Sequence, residues 1–248
     1  MQTKMSIALS GAGPVRARAR APQRGPSRAG WGPSWRLLGL LAFAWGNWAA
    51  QASTLQVRVV DREGQPVADA VLEVLPAQGP ESRPAGAAAS PALVAQEKMQ
   101  FIPRVSVVQA GTRLRFTNQD RWDHHVRVLP ASLNRLSEGG GMEFRLSGLV
   151  DGQAPSSQER AFDQAGVYVL GCHLHSSMRG HVYVAESPWV GKTGADGTLT
   201  LQGLPMGPAS VRLWQADEVQ ALAPRSVTLG TAPLSLDYQL SVVPRRRR

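Results

Sequence analysis

The chain is short of cysteine. Cys172 is the only one in 248 residues, so no disulfide can form within it. In an exported chain a lone cysteine is either an intermolecular partner or a thiol held for another purpose, metal ligation among them. Long helical periodicity is also lacking. No stretch after residue 52 repeats its apolar residues at i, i+3, i+4 and i+7 over a useful length, which excludes helical bundles and βαβ architectures and leaves an all-β class. The single apolar run, Leu37 to about Trp48, is short for a membrane span.

Acidic residues are missing from the first 52 positions, which carry seven Lys or Arg. The arginine-rich lead ends at Arg36, the apolar run follows, and Ala50-Gln51-Ala52 is a small-x-small cleavage signal. These are the regions of a secretory signal peptide, expected over residues 1–52 with cleavage after Ala52. Retention as an uncut anchor is the alternative. No Arg-Arg pair precedes the apolar run, so a twin-arginine route is not supported. Export of this kind predicts a periplasmic protein that does not insert in the membrane once its signal is removed.

The formal charge of +9 is confined to the ends. Once the N-terminal seven bases and the RRRR tail at 245–248 are set aside, sixteen bases face all 18 acids in residues 53–244. A body near neutrality gives no electrostatic reason to expect a nucleic-acid partner. The tail reads as a solvated end.

Residues 55–76 alternate as strands do, with Val57 and Val59 on one face, Leu72 and Val74 on one face, and a turn at Asp61-Arg62-Glu63-Gly64. A two-stranded hairpin is marginal alone and needs partners. Residues 77–95 are rich in Ala, Pro, Gly and Ser and read as a linker. Strand patterns return over 99–130, and residues 131–164 read as a loop-rich crossover with short strands. A third set of strands separated by Gly and Pro turns fills 188–244.

The chemistry concentrates in residues 165–184, where Cys172, His175 and Met178 lie within seven residues between two strand-like runs. A thiolate, an imidazole and a thioether suit copper, and a His2Cys site with a weak axial Met serves electron transfer. One more histidine is then required. In the run His124-His125-Val126-Arg127-Val128, alternation places His124 with Val126 and Val128 on the inward face and His125 outward with Arg127. His124 is the fourth candidate ligand. A buried free thiol and a zinc site are the plainer readings of Cys172, although structural zinc sites carry more cysteine. A dinuclear copper centre would need a second, bridging cysteine, and there is none.

The pattern Phe101-x-Pro103, Gly111-Thr112, Phe116-x-Asn118-x-Asp120, His124-His125-Val126, Gly166-x-Tyr168 and Cys172-x2-His175-x2-Met178-x-Gly180 resembles the cupredoxin family, in its plastocyanin/amicyanin-like blue copper branch. Periplasmic proteins described as methylamine utilization proteins show a similar arrangement. The resemblance spans about residues 96–186. It implies a Greek-key β-sandwich over 96–187 and one mononuclear type 1 copper on His124, Cys172, His175 and Met178. It also implies a non-enzymatic electron carrier whose partner is a periplasmic dehydrogenase or a c-type cytochrome. The family often has Asn where His125 stands, though the backbone N–H of His125 remains available to the sulfur.

Residues 53–76 and 188–244 further resemble the two halves of a carboxypeptidase-regulatory-like, transthyretin-like or Ig-like sandwich. The features are Val59-x-Asp61-x2-Gly64-x-Pro66-Val67 and Asp196-Gly197-x-Leu199-x-Leu201-x-Gly203-Leu204-Pro205. The copper-type sandwich would then be inserted in, or joined to, this smaller one.

Two other functions compete. One is a copper-handling module that carries or senses the metal without redox turnover; the other is an adhesion or glycan-binding module built on the smaller sandwich. His125, His173 and His181 read as solvent-facing or strand-capping residues. The Cys172-His173 adjacency also resembles the way copper oxidases and nitrite reductases wire two coppers, but those enzymes complete the second site across domains or subunits. Asp120 and Asp123 read as turn residues.

Overall fold

The computed structural model describes residues 52–78, 92–131, 141–218 and 221–244. The expected signal peptide apart from Ala52, most of the expected linker and the basic tail lie outside them. Among the described residues there are sixteen strands and no helix, and hence no helix long and apolar enough to cross a membrane.

The strands form two sandwiches. In the first, β5 (Val105–Gln109), β11 (Arg179–Ala185), β10 (Gly166–Cys172), β7 (His124–Pro130) and β8 (Met142–Leu146) make a five-stranded sheet in that order. β4 (Gln100–Ile102), β3 (Leu93–Glu97), β6 (Thr112–Asn118) and β9 (Ser157–Phe162) make the opposing sheet. Alternation decides what each strand buries. Along β6, Leu114, Phe116 and Asn118 point inward while Arg113 and Arg115 are exposed. The inner faces meet around Phe116, Phe144 and Phe162, with Val126, Leu146, Leu170, Val182, Cys172 and Met178 in the same core.

The second sandwich comes from the two ends of the described chain. β13 (Thr198–Pro205), β1 (Ala52–Val60) and β16 (Leu234–Gln239) form one sheet. β12 (Val190–Lys192), β2 (Val71–Pro76), β14 (Gly207–Trp214) and β15 (Arg225–Leu229) form the other. Leu55, Val57 and Val59 pack across to Leu72, Val74, Val211 and Leu213. All the strands of the first sandwich thus lie between β2 and β12 in sequence.

Two boundaries differ from the sequence reading. Residues 55–76 do not form a hairpin: β1 and β2 belong to different sheets and face each other across the core. The turn at Asp61–Gly64 carries the chain from one sheet to the other, and each strand takes its neighbours from residues 190–239. The stretch read as a linker to residue 95 also ends early. Leu93–Glu97 is strand β3, parallel to β6, and Val94 is wholly buried.

β2 is buried on both faces, because one side of it lies against the first sandwich. Val71 joins Val105, Tyr183 and Ala185 in a separate apolar cluster, with Trp214 against it. Glu73 projects into the same junction at 1 % exposure. Its carboxylate accepts the Tyr183 hydroxyl at 2.9 Å and the backbone N–H groups of Glu186 and Ser187 at 2.6 and 2.8 Å. A buried carboxylate with three donors is the arrangement that offsets its loss of water. Burial, followed by the charge of Glu73, holds the Tyr183 phenol in its neutral form.

Candidate metal centre

The centre lies at one end of the first sandwich, where β7 begins and β10 ends. The pleat of β7 turns His124 into the core with no exposure, and Cys172, the last residue of β10, is 7 % exposed. The two strands are antiparallel neighbours, with Cys172 opposite Val126. After Cys172 the chain makes a tight loop, closed by the Met178 N–H donating to the His175 carbonyl at 3.0 Å. That loop brings the half-buried His175 back over the cysteine.

Three donor atoms converge. Cys172 Sγ is 3.7 Å from His124 Nδ1 and 3.5 Å from His175 Nδ1, and the two Nδ1 atoms are 3.2 Å apart. A point equidistant from the corners of this triangle lies about 2.0 Å from each, the length of a metal–imidazole bond and somewhat short of a metal–thiolate bond. The arrangement therefore accommodates a transition-metal ion at its centre with little movement. Met178 is 1 % exposed and packs in the same core as Cys172.

Asp120 sets the orientation of His124. Its Oδ2 lies 3.0 Å from His124 Nε2, on the far side of the ring from Nδ1. The same carboxylate accepts the backbone N–H groups of Lys98 and Met99 at 2.6 and 3.0 Å. Lys98 and Met99 both adopt left-handed φ, 52° and 57°, as the two-residue turn between β3 and β4 requires. Burial pushes the Asp120 carboxyl up, but the Met99 N–H, the His124 ring and the Lys98 N–H together bring it below the usual range. For His124, burial is the largest influence and lowers its pKa; the bond to Asp120 opposes it, and His175 adds to the lowering. A carboxylate behind a ligating imidazole fixes which nitrogen is free to bind. Asp120 is thus more than a turn residue.

Asn118 holds the loop that carries Asp120. Its Nδ2 donates to the carbonyls of Trp122 and Ser147 at 2.8 and 2.9 Å, and its Oδ1 accepts the Asp120 N–H at 2.9 Å.

The other histidines divide. His125 and His173 lie on the outer face of the sheet, one residue beyond His124 and Cys172, with ring centroids 4.8 Å apart. Glu143 of β8 reaches both: its Oε1 is 3.3 Å from His173 Nε2 and its Oε2 is 3.7 Å from His125 Nε2. The hydrogen bond from His173, then the charges of His173, Arg127 and His125, hold the Glu143 carboxyl below its usual range. Sequence reading passed over Glu143, because residues 131–164 carry too short an alternation to place it opposite Arg127.

His181 is neither solvent-facing nor near these groups. It packs against Trp214 at the junction of the sandwiches, with centroids 5.3 Å apart. Burial, reinforced by Arg104, lowers its pKa to about 4.

No family model matches the chain, and no curated protein matches it. Among solved structures the chain is similar to amicyanin from Paracoccus versutus (Thiobacillus versutus), at 20 % identity and a TM-score of 0.31 over 46 % of this chain and 97 % of that one. It is also similar to an oxidized amicyanin point mutant, at 24 % identity and a TM-score of 0.28 over 38 % and 81 % of the two chains.

Proposed function

We propose that the chain is an exported electron carrier built around one mononuclear type 1 copper, held by His124, Cys172, His175 and Met178. The observation that carries this reading is the buried triangle of Cys172 Sγ, His124 Nδ1 and His175 Nδ1, with sides of 3.2 to 3.7 Å. Copper, when bound, supplies a one-electron couple.

The residues account for the rest. A thiolate with two imidazoles suits both oxidation states of copper, and the thioether of the buried Met178 would complete the set. Cys172 and His124 are shielded from water, which favours outer-sphere electron transfer over ligand exchange. The pair of β7 and β10 on one side and the loop 172–178 on the other hold the donors apart from one another's exchange with solvent. Asp120, 3.0 Å from His124 Nε2, would hold that ring in place with Nδ1 toward the other donors. His175, half-buried, is the route by which an electron reaches the surface, and the exposed Leu174 beside it offers an apolar landing for a redox partner.

The partner is a periplasmic dehydrogenase or a c-type cytochrome, in keeping with the signal-like N-terminus. The smaller sandwich is read as the carboxypeptidase-regulatory-like accessory domain, and the chain as a periplasmic relative of the methylamine utilization type. No catalytic role is assigned to it.

The test is a visible absorption spectrum after addition of Cu(II), with Cys172→Ala as control. An intense thiolate-to-copper band that bleaches with ascorbate, returns on oxidation and is absent in the variant supports the reading. A colourless protein that binds Cu(I) without cycling turns it into a copper-handling module instead.

A further inference from the structure

We infer that His125, His173 and Glu143 form a second metal site, open to solvent on the outer face of the five-stranded sheet, for a divalent first-row ion that favours imidazole, Zn2+ or Cu2+. The three side chains come from three adjacent strands or their ends. His125 is in β7, Glu143 in β8 opposite Arg127, and His173 directly follows β10. The ligand atoms all lie within 4.8 Å of one another. His173 Nε2 stands 3.3 Å from Glu143 Oε1 and His125 Nε2 3.7 Å from Glu143 Oε2, each near the roughly 3.4 Å that separates two ligands of a tetrahedral ion at bonds of about 2.1 Å, so the carboxylate spans the two rings with one oxygen toward each. The imidazole nitrogens stand no more than 4.8 Å apart, and the half-buried His125 and the exposed His173 both have room toward solvent to turn toward a shared ion.

The backbone is set for it. The His173 N–H donates to the His125 carbonyl at 3.0 Å, so the two Cα atoms are held together whatever the side chains do. Two imidazoles and one carboxylate with open positions toward solvent make a ligand set that divalent zinc and copper both accept.

Arg127 shares the face, with its Nε 3.2 Å from Glu143 Oε1. An ionised carboxylate offers about four lone-pair sites, so the guanidinium leaves it able to ligate, and its charge weakens the site without closing it. The plain alternative is a hydrogen-bonded surface cluster in which Glu143 accepts from both rings and no ion enters.

The site is independent of the buried triangle, although it touches it through two peptide units. His125 follows His124 and His173 follows Cys172, and the pleat sends each pair to opposite faces of the sheet.

Zn2+ titration of the untagged full chain tests the inference, followed by imidazole 1H–15N spectra of its five histidines. The expected result is micromolar binding that shifts the His125 and His173 rings and persists in Cys172→Ala. His173→Gln or Glu143→Gln should each weaken it by more than the roughly 10–100-fold that an outer partner costs. These residues are partly exposed, so both variants should fold. Rings of His125 and His173 that do not move up to millimolar Zn2+ overturn the inference. So does an affinity at that face left unchanged by His173→Gln.

Discussion

Asp120 Oδ2 stands 3.0 Å from His124 Nε2 while its partner oxygen takes the Lys98 N–H, so one carboxylate ties a left-handed turn to a ring of the candidate centre. Asp120→Asn keeps the shape but replaces one accepting oxygen by a donor. With the amide nitrogen in place of Oδ2 both the His124 contact and the acceptor of the Met99 N–H are lost; in place of Oδ1 the Lys98 N–H loses its acceptor. Metal affinity should fall about 10–100-fold, as it does when partners behind a ligating imidazole are lost. Competition with a chelator of known affinity measures this, and an unchanged affinity would show that the ring is held by packing alone.

Glu73 and Tyr183 make a different kind of bond, between the two sandwiches. Glu73→Ala removes the acceptor for three donors, two of them in fully buried bonds, and each buried donor left alone costs about 1–3 kcal/mol. A loss of at least about 3 kcal/mol is expected in urea unfolding. Tyr183→Phe removes one donor and leaves two, so its loss should be nearer 1–2 kcal/mol. The Cu(II) spectrum of the folded Tyr183→Phe variant should match the parent, because Tyr183 packs in a different apolar cluster from Cys172 and Met178.

His181 gives a pH signature. Its folded pKa, about 4, lies below the ordinary value of 6.5. The unfolded chain therefore binds the proton first as pH falls. The stability contribution is complete above about pH 6.5 and is lost progressively down to about pH 4, to a limit of about 3 kcal/mol. Arg104 and Arg179 add to the effect and Asp217 opposes it. In the metal-free chain, His181→Gln should flatten the dependence of unfolding free energy on pH between 6.5 and 4 relative to the parent. Parallel curves would place the titrating group elsewhere.

Much of the candidate centre could be read from the sequence because strand phase is a strict period of two. His124 with Val126 and Val128 could only point inward if those valines did, and all three are buried. The Cys172–His175–Met178 spacing was equally local. What was not legible depended on which strands are neighbours. Glu143 joins His125 only because β8 pairs with β7, and Asp120 acts on His124 through a turn fixed by Asn118. The alternation around Glu73 reads as a half-exposed strand, since sequence carries no mark of a second sandwich covering the polar face. The same blindness made β1 and β2 look like a hairpin when they lie in opposite sheets.

Proximity in sequence also misleads about which glycine matters. Gly171 adjoins Cys172, yet a Cβ there would meet nothing within 4 Å. Gly148 is far from every candidate ligand in sequence, and a Cβ on it would sit 2.2 Å from the Arg121 carbonyl oxygen and 2.6 Å from its carbon. Both are backbone atoms, so the segment must move rather than a side chain. Around that contact the Gly148 N–H donates to Asp123 Oδ1 at 2.9 Å and the Leu149 N–H to the Asp120 carbonyl at 2.7 Å. The 147–149 segment therefore clamps residues 120–123 directly before His124. Gly148→Ala should cost about 1–3 kcal/mol in stability, the usual range for overpacking. It should also weaken metal binding by displacing Asp120. Gly171→Ala should leave both within about 0.5 kcal/mol and within a factor of about two, apart from its gain in strand order. Chemical unfolding and metal titration of the two variants side by side decide it, and the opposite ranking would mean that the clamp does not position His124.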